Sequence, residues 1–205
     1  IVDGIPEGCQ VFVVETPPEL QEAYQVSPEA ALVPAKKTGW YDWIKRFEPL
    51  EPRDISSPGA MIYTSGTTGR PKGVRRKAGT QTEMDNLYAT INQAFDIGPG
   101  KRTIIPAPLY HSAPNTYGIL CVVMGMDEIV LMPRFEPEEL LRLIEKHQTT
   151  HLQTVPTMFI RMLKLPKEQR AKYDVASLEF VVHAAAPCPP DIKQQMIDWW
   201  GPVIN

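Results

Sequence analysis

Apolar and polar residues follow one another in a pattern that predicts alternating strands and helices along most of the chain. Short apolar runs predict buried strands, and longer stretches with apolar residues three or four positions apart predict amphipathic helices. The predicted strands span residues 10–15, 60–63, 102–107, 128–132, 151–155 and 178–183. The predicted helices span residues 40–47, 81–95, 116–124, 137–147, 156–165 and 190–200.

The regular alternation over residues 59–205 predicts an α/β fold with a mainly parallel sheet and helices on both faces. Residues 1–58 are different, because they are rich in proline, weakly periodic and carry a single predicted strand. We interpret them as a lead-in to the alternating segment. Ligands bind beyond the carboxyl ends of the strands in such a sheet, so a site is expected in the stretches that follow strands.

The stretch from Thr64 to Gly73, directly after the strand at 60–63, combines hydroxyl groups, glycines and basic residues. Hydroxyl and backbone N–H groups donate hydrogen bonds to an anion, and glycines let the main chain approach it closely. Lys72 adds a positive charge on a long stem. This combination predicts a loop that binds a polyphosphate.

Two other interpretations of this stretch are weaker. A Walker-type phosphate loop requires Gly-Lys followed by Ser or Thr, whereas Lys72 stands between Pro71 and Gly73. An ordinary solvated turn also uses Ser, Thr and Gly. Four hydroxyl residues, three glycines and a lysine in one unbroken run favour phosphate binding over such a turn.

The run from Tyr63 to Gly73 resembles the phosphate-binding signature of the adenylate-forming superfamily. This superfamily includes acyl-CoA and aryl-CoA synthetases, beetle luciferases and the adenylation domains of peptide synthetases. The resemblance extends from about residue 59 onwards, and it implies that residues 1–205 are an internal segment of the layered, AMP-binding N-terminal domain of an acyl-CoA synthetase. The phosphate-binding residues that it implies are Thr64, Ser65, Gly66, Thr67, Thr68, Gly69, Arg70 and Lys72.

The activity implied by the resemblance has two steps. A carboxylic acid, here expected to be a medium- to long-chain fatty acid, reacts with Mg²⁺-bound ATP to give acyl-adenylate and pyrophosphate, and coenzyme A then takes the acyl group. ATP, Mg²⁺ and coenzyme A are the implied cofactors and substrates. Two alternatives stay open: an aryl-CoA ligase or carrier-protein adenylation domain of the same superfamily, and a non-catalytic nucleotide-binding module.

A second informative stretch follows the strand at 102–107. The run from Pro108 to His111 resembles the motif that borders the carboxylate-substrate pocket in this superfamily. A neutral imidazole there shapes the pocket and donates one hydrogen bond. The residues expected in an acyl-substrate pocket are Tyr110, His111 and Asn115. Considered without the family, His111 is better interpreted as an ordinary hydrogen-bonded loop histidine.

A third stretch follows the strand at 178–183 and resembles the small-residue segment that lines the adenine pocket of the superfamily. Small side chains let a flat ring lie against the backbone. The implied adenine-binding residues are His183, Ala184, Ala185, Ala186 and Pro187. Many members carry glycine where this chain has Ala184 and Ala185, and an alanine-packed junction is the alternative.

The remaining candidate residues have simpler interpretations. The apolar helix at 116–124 either lines an acyl tunnel or packs in the hydrophobic core. The same two interpretations apply to Met158, Phe159 and Met162. His147 and His151 lie on opposite sides of a predicted helix end, so no metal site is predicted there. No catalytic base is assigned, because a carboxylate nucleophile is already ionised at neutral pH.

Composition limits the other function classes. A net charge of −3 argues against a nucleic-acid-binding protein, which is usually strongly basic. The cluster Arg75, Arg76 and Lys77 is interpreted as a solvated helix start. Three widely spaced cysteines predict packing residues in a reducing compartment, and no apolar run is long enough for a membrane span, so a cytoplasmic location is expected.

The resemblance places the family's magnesium-binding glutamate, ribose-binding aspartate and C-terminal lysine beyond Asn205. Without a metal ligand and a ribose anchor, ATP lacks charge neutralisation and orientation. We therefore expect this 205-residue chain to be inactive by itself. Apolar faces that the rest of the domain would cover are expected to favour self-association.

Overall fold

The computed structural model describes residues 4–51, 61–64, 72–75 and 79–205, and it divides the chain into two compact units, Ile1–Ser56 and Ser57–Asn205. In the first unit, strands β1 (Phe12–Val13) and β2 (Thr38–Gly39) pair in parallel. Two helices, α1 (Pro18–Tyr24) and α2 (Trp40–Ile44), complete it. The helix predicted at 40–47 is confirmed but shorter, and α1 was not predicted.

The second unit begins with an antiparallel hairpin of β3 (Met61–Thr64) and β4 (Lys72–Arg75). Two expectations are wrong here. Met61 is exposed, although the strand at 60–63 was predicted to be buried. Arg75 lies in β4 and pairs with Met61, so it does not begin a helix.

A four-stranded parallel sheet forms the centre of this unit, with the strand order β6-β5-β7-β8. Its strands are β5 (Arg102–Ile105), β6 (Glu128–Leu131), β7 (His151–Thr154) and β8 (Phe180–His183). Val203 and Asn205 add parallel backbone hydrogen bonds to Val181 at the β8 edge. The predicted parallel sheet is therefore confirmed, with strands one to two residues shorter than the apolar runs.

Helices cover both faces of this sheet. They are α3 (Gln81–Phe95), α4 (Ser112–Val123), α5 (Pro137–His147), α6 (Pro156–Leu163), α7 (Lys167–Arg170) and α8 (Pro190–Trp200). Successive residues of a strand point to opposite faces. Accordingly Ile104 packs in a core with Leu140, Phe159 and Met196 of α5, α6 and α8, whereas Ile105 packs with Tyr117 of α4.

Helices α5 and α8 have the predicted bounds. A proline at the first helical position marks the start of each. Helix α4 begins at Ser112, four residues before the predicted start. Pro114 is tolerated because N–H groups in the first turn have no partner within the helix. Asn115 is therefore in the first turns of α4, and His111 is its N-cap residue without a side-chain cap hydrogen bond.

His151 is fully buried at the start of β7, and both of its ring nitrogens have polar partners. Its Nδ1 lies 2.8 Å from Thr150 Oγ1, and its Nε2 lies 3.2 Å from Asp96 Oδ2. Burial lowers the pKa of His151, which the neighbouring Asp96 opposes. The ring is thus a neutral, hydrogen-bonded part of the core at neutral pH.

The three cysteines have different environments. Cys121 is buried, and burial raises the pKa of its thiol to about 11, as a packing residue requires. Cys188 is half-buried, whereas Cys9 is exposed, so its predicted packing role is wrong. In the part of the chain that the structure describes, no helix is both long and apolar enough to cross a membrane.

Candidate functional site

The strand order reverses between β5 and β7, and this places a crevice at their carboxyl ends. Strand β5 leads into α4 on one face of the sheet, whereas β7 leads into α6 on the other face. Neighbouring strands whose connections leave in opposite directions form the switch point at which α/β sheets bind ligands. The stretches after β5 and after β8 both lie at this edge of the sheet.

An apolar cavity of about 330 Å³ lies at the carboxyl ends of β5 and β6, against α4. Its volume is within the range of small-molecule pockets. It is lined by Ile105, Leu109, Asn115, Gly118, Ile119, Val122, Ile129 and Leu131. Asn115 is the polar side chain in this lining, so the cavity combines an apolar body with one hydrogen-bonding group.

Gly118 lets α4 approach β5 closely beside this cavity. A Cβ atom added at Gly118 would lie 2.8 Å from Ile105 Cδ1, closer than carbon atoms pack. A glycine inside a helix destabilises it relative to alanine, so its presence here has a packing reason. The sequence does not reveal this contact, because it joins two elements.

We expect Gly118→Ala to destabilise the protein by about 1–2 kcal/mol, because the added methyl group overpacks the contact with Ile105. Urea unfolding of the full-length protein measures this change. Ile105→Val lacks the Cδ1 atom but costs about 0.5–1.5 kcal/mol by itself, so it is measured alone as the reference, and the double variant Ile105→Val, Gly118→Ala should be less destabilised than the sum of the two single variants. Additive losses in the double variant would contradict the close-contact explanation.

The structure separates the three residues predicted for the acyl pocket. Asn115 lines the cavity, whereas Tyr110 and His111 are not among its lining residues. Tyr110 is 84% exposed, and its ring centre lies 4.7 Å from that of His111. Because α4 begins at Ser112, His111 and Asn115 are one helical turn apart, and the backbone N–H of Asn115 donates to His111 O at 3.1 Å.

His183 ends β8 and differs from His151 in its hydrogen bonding. Both of its ring nitrogens are buried and have no hydrogen-bond partner within the described parts of the chain. Its ring meets that of Phe159 edge-on at 5.9 Å, on the α6 side of the sheet. Burial, with a smaller contribution from the charge of Lys193, lowers the pKa of His183. A neutral imidazole offers one donor and one acceptor.

After His183, the backbone of Ala184 stays hydrogen-bonded to β7, and Ala185 then has a strained backbone conformation. The backbone N–H of Ala184 donates to Thr154 O at 3.1 Å. Ala185 has φ = 71°, a left-handed conformation that costs a non-glycine residue about 1–2 kcal/mol. This angle gives a physical reason for the glycine that many superfamily members carry here. Strain of this kind is concentrated at ligand sites.

The predicted phosphate loop is described only at its two ends. Thr64 and Lys72 are directly opposite each other in the β3–β4 hairpin. The backbones of these two residues are therefore neighbours. Ser65, Gly66, Thr67, Thr68, Gly69 and Arg70 lie outside the described residues.

No group of three or more His, Cys, Asp or Glu residues in the part of the chain that the structure describes is close enough to hold a metal ion. Mg²⁺ bound with a nucleotide is usually held by one or two carboxylates together with substrate phosphates. No residue of the described parts is therefore assigned to Mg²⁺, and no reaction step is derived from it.

The part of the cavity lining that lies on α4 and just before it was anticipated from the sequence, whereas the strand residues Ile105, Ile129 and Leu131 were missed. Ile129 and Leu131 belong to a strand that was predicted as core, and Ile105 and Leu109 come from an apolar run and its loop. The helix at 116–124 gave one signal, because its apolar residues lie on all sides, whereas a surface helix carries them on one side only. In the structure Tyr117 and Cys121 are core, whereas Ile119, Val122 and Val123 are exposed.

Comparison with known proteins agrees with the fold and the motif. The long-chain-fatty-acid–CoA ligase of Bacillus subtilis is 32% identical over 66% of this chain, and the 2-succinylbenzoate–CoA ligase of Bacillus pumilus is 30% identical over 74%. The aligned regions cover only 24% and 29% of those two proteins. The inhibitor-bound N-terminal domain of FACL13 from Mycobacterium tuberculosis superposes with a TM-score of 0.64, at 21% identity, over 91% of this chain and 47% of that one.

The family assignment rests on a match along almost the whole chain. The sequence profile described as AMP-binding enzyme matches residues 4–205, which include the predicted phosphate loop, the α4 cavity and the segment after β8. The resemblance inferred from Tyr63 to Gly73 is therefore confirmed, and the chain belongs to the family of AMP-binding enzymes.

Proposed function

We propose that this chain is part of an ATP-dependent acid–CoA ligase that activates medium- to long-chain fatty acids. The observation that carries the proposal is the apolar cavity of about 330 Å³ at the carboxyl ends of β5 and β6. An aliphatic chain fits such a lining, because burial of each methylene contributes about 0.8 kcal/mol. The relative that acts on long-chain fatty acids by its name supports this choice, whereas the 2-succinylbenzoate ligase keeps aromatic acids as the second candidate.

The proposed division of roles follows the sheet edge. The cavity at β5 and β6 would hold the acyl group, with Asn115 as its polar contact. The segment from His183 to Pro187 at β8 would hold the adenine. Adjacent strands are about 4.8 Å apart, so β5 and β8, separated by β7, lie roughly 10 Å apart. This spacing allows a carboxylate and an α-phosphate to meet above β7.

The phosphate groups of ATP would be bound by the loop from Thr64 to Lys72. Its hydroxyls, backbone N–H groups and lysine would stabilise the negative charge that develops on the departing pyrophosphate. The acid attacks as an ionised carboxylate, so no side chain of this chain needs to remove a proton from it. Positioning of the two substrates would then supply most of the rate.

Replacement of Val122 by Trp tests the acyl cavity. Val122 lines the cavity and is 68% exposed, so a large ring there would fill the space without disturbing the core. In acid-dependent ATP–pyrophosphate exchange by the full-length protein, kcat/KM for the longest accepted acid should fall at least about tenfold relative to the shortest.

Val123→Trp is the matched control. Val123 follows on the same helix and is 61% exposed, but it is outside the cavity lining. This variant should keep the parent ranking of acids. An identical shift in both variants would contradict an acyl group in the α4 cavity. Exchange that depends on aromatic acids alone would favour the aryl ligase, and exchange with no acid dependence would favour the non-catalytic module.

A further inference from the structure

A second cavity, of about 490 Å³, lies between helices α6 and α7 on one side and α8 on the other. Its lining residues are Leu163, Lys167, Arg170, Ala171, Gln195, Asp198 and Trp199. All of them belong to the helical layer or follow α7 directly, and none lines the α4 cavity or the edge of the sheet. The volume is sufficient for a small molecule.

Arg170 is one of the polar side chains that line this second cavity. Its guanidinium carbon lies 4.8 Å from the centre of the Trp199 ring, in cation–π geometry. Its Nε atom is buried and has no hydrogen-bond partner within the described parts of the chain. Because the Nε atom is enclosed by the protein, a ligand in the cavity would be bound by the Nη groups of the same guanidinium.

The charged side chains that line this cavity carry a net positive charge. Lys167 lies one turn before Arg170 on α7, so two cations face the single carboxylate of Asp198. That carboxylate already accepts a hydrogen bond from Gln194 at 2.8 Å. Leu163, Ala171 and the Trp199 ring form the apolar part of the lining.

We propose that this second cavity binds a small organic anion with an apolar body, apart from the adenylation site. Arg170 and Lys167 would bind the anionic oxygens, because a guanidinium and an ammonium both suit phosphate and carboxylate groups. The apolar body would pack on Trp199 and Leu163. The site goes beyond the proposed function, since it shares no residue with the acyl cavity.

Isothermal titration of the full-length protein with phenyl phosphate, benzoate and phenol tests the site. Phenol lacks the charge and should bind at least about tenfold more weakly than the better of the two anions, and the comparison of the anions identifies the preferred head group. Arg170→Gln should weaken binding of that anion at least about tenfold, because a hydrogen bond to a charged group is lost.

Arg161→Gln is the matched control. The guanidinium carbon of Arg161 also lies 4.8 Å from an aromatic ring centre, that of Phe135, but Arg161 is outside this cavity. Anion binding by this variant should change less than twofold. Equal weakening in both arginine variants, equal affinity for phenol, displacement of the anion by ATP, or sensitivity to Val122→Trp would each overturn the proposal. Lys167→Gln supplies a second test, with an expected weakening of about threefold or more.

Discussion

Lys72→Ala is expected to slow adenylate formation by about 100-fold in the full-length protein, the effect of removing one charge-stabilising donor from an active site. Lys72 lies directly opposite Thr64 at the closed end of the β3–β4 hairpin, so the strand fixes its backbone next to the proposed phosphate loop. The loss should be confined to the half-reaction in which pyrophosphate leaves. ATP–pyrophosphate exchange in the presence of a fatty acid measures that half-reaction.

Thioester formation from pre-made acyl-adenylate and coenzyme A measures the other half-reaction. It should change less than about threefold, because no pyrophosphate departs in it. Lys146→Ala removes an exposed lysine from α5, away from the proposed site, and should leave both half-reactions unchanged. An equal loss in the two half-reactions of Lys72→Ala would place the lysine outside the phosphate site.

Elements with a strong local signal were predicted correctly. Helices α5 and α8 begin at prolines in the first turn and carry apolar residues at helical spacing, and their observed ends match the prediction. In α5, Leu140, Leu141 and Ile144 are fully buried, as the periodicity indicates. Alternation of strands and helices was sufficient to predict the parallel sheet.

Elements that depend on pairing or on capping were missed. Strand β4 was missed because it has no apolar run. It is a strand because it pairs with β3, and its composition does not show this. Helices α1 and α7 are too short to show a helical repeat of apolar residues, and each begins at or directly after a proline. The early start of α4 was obscured by Pro114, which the sequence interpretation treated as part of a loop.

In the candidate site, too, the features encoded in one stretch of sequence were predicted, and those formed by contacts between elements were not. The phosphate signature is local, so it identified the family from the sequence. The α4 cavity is formed where α4 meets β5 and β6, and its shape depends on the close approach at Gly118. Of the predicted pocket residues, Asn115 lines this cavity, whereas Tyr110 and His111 do not, since side-chain direction depends on where the helix begins.

The two sheet histidines, the buried His151 and the half-buried His183, are expected to respond oppositely to replacement by leucine. Both ring nitrogens of His151 have polar partners, so His151→Leu should destabilise the protein by about 2 kcal/mol through two lost hydrogen bonds. The ring nitrogens of His183 have no such partner within the described residues. His183→Leu should therefore leave the free energy of unfolding unchanged or raise it by about 1 kcal/mol.

The same His183→Leu variant should lose function. One nitrogen of the neutral His183 ring can donate to N7 of adenine or accept from its N6 amino group. His183 lies on the opposite face of the sheet from the α4 cavity, so its replacement should affect ATP and not the acid. We expect the KM for ATP to rise at least about tenfold while the ranking of acids stays the same. A residue whose removal stabilises the fold and weakens substrate binding has a functional role. Destabilisation comparable to that of His151→Leu, with unchanged KM for ATP, would instead make His183 a structural residue.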